Sequence, residues 1–92
     1  MKDYTQITQS TELQLQVSLI YTRIASLRKE LVEAKAHLLR VLRSEWSASS
    51  SEAAHALRDQ IFGCRIEIEV LEVRAHRLVK QAQVQDQDTA DV

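Results

Sequence analysis

The chain has no proline, one glycine (Gly63) and one cysteine (Cys64) in 92 residues. Each shortage excludes something. A β-rich domain needs turn residues roughly every eight to twelve positions, and this sequence does not provide them. A single thiol cannot close an intramolecular disulfide, so a secreted disulfide scaffold is excluded. Aromatic residues make up 4% of the chain against 45% hydrophobic residues in all, so any core must be aliphatic. A net charge of −1 singles out no class of charged partner. The stretch Met1–Gln6 carries no apolar run, so no signal peptide is expected. No apolar stretch reaches bilayer-spanning length. The expectation is a cytoplasmic protein without membrane contact.

What the chain does have is helix formers: Ala, Leu, Gln, Glu and Arg dominate, and all favour helix. Their hydrophobic spacing is regular. Leu13, Val17, Ile20, Ile24, Leu27, Leu31, Ala34, Leu38 and Val41 alternate spacings of four and three, an unbroken heptad seam. A second seam runs through Ala54, Leu57, Ile61, Cys64, Ile68, Leu71, Ala75, Leu78 and Ala82. Between them stands Ser47-Ala48-Ser49-Ser50-Ser51. Serines compete for backbone hydrogen bonds and favour caps over helix interiors, and Ser49 with Glu52 fits a capping box.

These signals predict an all-α protein: an antiparallel, coiled-coil-like two-helix hairpin over residues 10–83. Helix 1 is expected over about 10–46, the turn over about 47–51 and helix 2 over about 50–83. Residues 1–9 read as an N-terminal arm and 84–92, with Asp86, Asp88 and Asp91, as a disordered acidic tail. Flanking charges leave two turn registers open. A turn near 48 sets Arg23 against Arg74, Glu30 against Glu67 and Arg28 against Arg65. A turn near 51 sets Glu30 against Arg74, His37 against Glu67 and Arg28 against Glu72. An alternative to helix also stands at 12–20 and 65–73, where apolar and polar residues alternate strictly, as in a half-buried strand.

A solitary hairpin should be polar on the face opposite its seam, and this one is not. Phe62, Ile66, Val70 and Val73 form a second apolar stripe on helix 2. Leu15, Leu19, Val32 and Leu39 lie outside the seam on helix 1. A helix apolar on two faces is buried on two faces, so these eight residues are the candidate interface with a partner. The expected partner is a second copy, giving a four-helix bundle as a homodimer, or a helical segment of another protein.

Few residues suggest chemistry. His37, His55 and His76 have no His or Cys at the i+3 or i+4 spacing of a helical metal site, and they read as solvated. Cys64 sits in the seam and reads as a small core residue. Trp46 is expected to cover the end of the bundle. Gly63 costs helix stability up to about 1 kcal/mol relative to Ala, and its missing side chain is expected to admit a crossing helix or the bulk of Phe62. No cofactor is expected.

Two short stretches resemble known families. Ala75-His76-Arg77-Leu78-Val79-Lys80 resembles a histidine-phosphotransfer motif, with the lysine one position late and Gln81 where a small Gly normally stands. Leu27-Arg28-Lys29-Glu30-Leu31 followed by Leu38-Leu39-Arg40-Val41-Leu42 resembles the first helix of the all-helical chorismate mutases. That resemblance implies an intertwined dimer with Arg28 as the first substrate-binding arginine, although the third helix and its ligands have no counterpart here.

The leading expectation is a non-enzymatic helical interaction module acting through helix-in-groove packing. In size and architecture it is similar to the small two-helix co-chaperones of bacterial type III secretion. One alternative is a nucleic-acid-binding hairpin dimer, architecturally similar to plasmid copy-number regulators that bind RNA kissing loops, with Lys29, Arg40 and Arg43 as phosphate contacts. A small enzyme of chorismate-mutase type is the other.

Overall fold

The structure, a computed structural model, describes the main chain of residues 3–90 and the side chains of residues 11–84. Two helices pack against each other: α1 (Asp3–Arg43) and α2 (Ala48–Ala90). Among the described residues there is no strand. The hairpin is a rod of 69 × 15 × 14 Å.

The heptad seams form the contact between the helices. Leu13, Ile24, Leu27 and Ala34 of α1 are buried, as are Ala54, Leu57, Ile61, Cys64, Ile68 and Ala75 of α2. Val17, Ile20, Leu31, Leu38, Val41, Leu71, Leu78 and Ala82 are half-buried along the same line. The core has two clusters. In the first, Ile24 and Leu27 pack with Cys64 and Ile68, flanked by Ile20, Leu31 and Leu71. In the second, Ala34 packs with Leu57 and Ile61, flanked by Leu31, Leu38 and Val41. Large side chains on one helix share a cluster with small ones on the other, Leu27 with Cys64 and Leu57 with Ala34, which lets the helices approach closely. Ile24 and Leu27, each 2% exposed, stabilise the hairpin by about 1.5–3 kcal/mol apiece through burial.

The strand alternative fails at both segments, since 12–20 lies within α1 and 65–73 within α2. The heptad pattern passes through each without a phase break and no Gly, Pro or Asn ends it, so the alternation is incidental to a helical seam.

The connection falls earlier than either register expected. α1 ends at Arg43, and α2 starts at Ala48. Ser44 closes the first helix: its hydroxyl donates to the Val41 carbonyl at 2.6 Å, and its N–H donates to the same oxygen at 3.2 Å. The cap of α2 is Ser47, not Ser49. The Ser50 N–H donates to Ser47 Oγ at 3.1 Å, and the Ser47 N–H donates to Ser50 Oγ at 2.8 Å. This is a reciprocal capping box with a serine in the place usually held by Glu or Gln. Helix also extends at both ends, into the stretches read as an arm and a tail, where no Pro or Gly interrupts it. Trp46 sits in the loop at 77% exposure and does not cover the rod's end: with only two helices, the end offers no apolar surface wide enough to hold an indole.

Candidate interaction surface

Two ion pairs bind the flanks of the seam, one on each side. Arg23 Nη2 donates to Glu67 Oε2 at 3.1 Å, and Arg28 Nη2 donates to Glu72 Oε1 at 3.0 Å. All four side chains are about half exposed or more, so each pair contributes at most about 1 kcal/mol. The clashes foreseen for an early turn do not arise. Glu67 lies nearly level with Arg23, since Ile24 and Ile68 share a core cluster, whereas Arg28 reaches diagonally along α2 to Glu72.

Beyond the seam, the surface carries more large apolar side chains than the core does. Among the described residues, thirteen large hydrophobics are exposed, against ten buried hydrophobic residues. Among the exposed set are all eight residues of the outer stripes. On α1, Leu15, Leu19, Val32 and Leu39 are each more than half exposed. They are spread along the helix and interrupted by Thr22, Ser26, Lys29 and Glu33. On α2, Phe62, Ile66, Val70 and Val73 are 66%, 45%, 53% and 52% exposed. At 100° per residue these four fall within an arc of about 80°, so they make one continuous ridge. A shallow depression beside it is lined by Glu69, Val70, Val73, Arg74 and Arg77.

The ridge has charged ends of opposite sign. Asp59 lies on the same arc just before Phe62, and Arg77 and Lys80 lie on it just after Val73. Arg65 and Glu69 flank its middle. Among the described residues, the ion pairs are those of Arg23 and Arg28, so none of these five charges is engaged in one.

Gly63 lies on the same outer face, within α2. A Cβ built there meets nothing within 4 Å. Within the hairpin, its missing side chain therefore makes no room for α1.

The remaining candidates are dispersed. His37, His55 and His76 are exposed, and no group of three His, Cys, Asp or Glu among the described residues could hold a metal. Cys64 is buried, with its thiol 4.0 Å from Glu30 Oε2. Arg28 is committed to Glu72 on the surface instead of pointing into a cavity. Lys29, Arg40 and Arg43 are exposed on α1; Glu33, between Lys29 and Arg40 on the same face, dilutes their positive field. No described helix is long and apolar enough to cross a membrane.

No protein-family model matches this chain, and neither does any curated protein or solved structure.

Proposed function

We propose that this chain is a non-enzymatic helical interaction module, in which the seam builds the scaffold and the outer face of α2 is the docking face. The observation that carries this reading is the ridge of Phe62, Ile66, Val70 and Val73. It is a continuous apolar strip, and the hairpin itself leaves it in water. Apolar residues at i, i+4, i+8 and i+11 are the anchors by which one helix lies lengthwise on another. Burying them against a partner stabilises the assembly by roughly 25 cal/mol for each Å² of apolar surface removed from water. Four helices result if the partner is a second hairpin. A single amphipathic segment of another protein would give three.

The test is light scattering of the purified protein, followed by recovery of bound proteins from the native host, each done with the wild type and with an Ile66→Ser/Val70→Ser variant. The expected result is an assembly, of self or of a partner, that the variant loses while its helical content stays the same. A monomer that recovers the same proteins with and without the ridge overturns the proposal.

A further inference from the structure

Resting on that docking face, we infer that its occupant is a second copy of this chain, with the two α2 ridges packed antiparallel about a two-fold axis level with Glu67 and Ile68. The argument starts from the order of residues along the ridge, which runs from Asp59 through Phe62, Ile66, Val70 and Val73 to Arg77 and Lys80. Such a strip, acidic at one end, apolar in the middle and basic at the other, is complementary to itself reversed. A two-fold axis uses the same patch on both copies. Reversal brings Phe62 level with Val73 of the second copy and Ile66 level with Val70, to within one residue. It also sets Asp59 beside Arg77 of the second copy, and by symmetry this pair occurs twice.

The flank is complementary as well. Glu69 comes beside Arg65 of the second copy, again twice, so the carboxylates near the axis each meet a guanidinium. Both residues are exposed and without an ion pair within the hairpin. A parallel pairing does the reverse: it stacks Asp59 on Asp59, Arg77 on Arg77 and Lys80 on Lys80, and like charges facing each other are repulsive.

Gly63 supplies a second, independent argument. It lies mid-helix, where glycine is unfavourable, and nothing within the hairpin occupies the space beside it. In the antiparallel pair it comes level with Val73 of the second copy, where the absent side chain lets the two backbones approach. The assembly that follows is a single layer ordered α1, α2, α2, α1, because each outer face points away from its own partner helix. It is not a square bundle, and Leu15 and Leu19 on the far side of α1 take no part in it.

The test is sedimentation equilibrium of the full chain at low salt, with circular dichroism on every variant to establish folding. The wild type is expected to be a concentration-dependent dimer. Asp59→Lys and Arg77→Glu each turn two attractive pairs into repulsive ones, so each alone is expected to weaken the dimer about tenfold. The combined Asp59→Lys/Arg77→Glu variant restores the pairing with its signs exchanged and is expected to recover most of the loss. Leu15→Ser/Leu19→Ser is expected to change nothing. A monomer at all concentrations overturns the inference, as does a dimer in which the combined variant is no better than the single ones, or one that the α1 variant disrupts. If Ile66→Ser/Val70→Ser abolishes an assembly that the charge exchange does not restore, the antiparallel pairing falls and the docking face stands. If it abolishes neither an assembly nor a bound partner, both fall.

Discussion

Arg28 pairs with Glu72 at 3.0 Å, although another cation, Arg65, lies closer to its level on the same flank of α2. Leu27 and Cys64 share a core cluster, so in this antiparallel pair Arg28 is level with Gly63, two residues from Arg65 and nine from Glu72. The contact with Glu72 spans more than two helical turns of α2. It forms because Cα–Cβ bonds tilt toward each helix's N-terminus; in an antiparallel pair, Arg28 and Glu72 lean toward each other. Glu72→Gln is expected to lower unfolding stability by about 0.2–1 kcal/mol and to leave Arg28 facing Arg65 uncompensated. Urea denaturation at one fixed protein concentration measures the loss. The difference from wild type is expected to shrink in 1 M salt, where screening reaches within about 3 Å. A loss that salt does not change would mean the effect is not electrostatic.

The hairpin was legible in the sequence because a heptad seam is a dense signal: nine positions on each helix repeat one rule, from Leu13 to Val41 and from Ala54 to Ala82. Every buried residue of the described core belongs to one of these seams. The turn was harder to place. Five consecutive residues, Ser47 to Ser51, include four serines, and each serine is a plausible cap by composition alone. Ser47 and Ser50 satisfy each other's N–H groups, whereas the Ser49–Glu52 pattern matched a more familiar box. The flanking charges name one true pair, Arg28 with Glu72, but point to a turn near 51, because the diagonal reach of Arg28 mimics a later register than the one that joins Arg43 to Ala48. The outer ridge was visible as spacing, since Phe62, Ile66, Val70 and Val73 depart from the seam by a fixed rotation. The proposed occupant of that ridge belongs to a second molecule, which one chain's periodicity does not specify.

Of Ser47 and Ser49, Ser47 is expected to be the more sensitive to substitution. Its Oγ accepts the Ser50 N–H at 3.1 Å, satisfying a donor that the first turn of a helix otherwise leaves without an intrahelical partner. Ser47→Ala is expected to cost about 1 kcal/mol, and Ser47→Asp to retain most of the stability, since a carboxylate caps equally well and favours the positive helix N-terminus. Ser49→Ala is expected to be near neutral. Thermal melts of the three variants rank the caps. A Ser49→Ala loss equal to that of Ser47→Ala would place the start of α2 two residues later.

Ala75 is fully buried, at 0% exposure, while Ala36 on the outer side of α1 is exposed. Both are helical alanines, so the same substitution at each separates packing from propensity. Ala75→Leu pushes three extra carbons into the space between the helices and is expected to destabilise by about 1–3 kcal/mol. Ala36→Leu is expected to fall within about 0.5 kcal/mol of wild type. A tolerated Ala75→Leu would show that the helices can separate at this level without cost, and that the seam around Leu78 and Ala82 is loosely held.

Substitutions at Gly63 separate the stability of the hairpin from that of the proposed dimer. A Cβ at this position meets nothing in the hairpin, so Gly63→Ala removes only the conformational cost of glycine in a helix. It is expected to gain about 1 kcal/mol, a rise in Tm of about 4–8 °C for a chain of this size, when measured at the lowest workable concentration. Gly63→Leu keeps most of that gain in the separate hairpin, because leucine is also a good helix former. In the antiparallel pair its side chain would meet Val73 of the second copy and hold the backbones apart. The two variants are therefore expected to agree in dilute melts and diverge in sedimentation, with Gly63→Leu the weaker dimer. If Gly63→Leu lowers the dilute Tm instead, the space beside residue 63 is needed within the hairpin itself. If both variants dimerise as the wild type does, the close approach of the two α2 helices is ruled out.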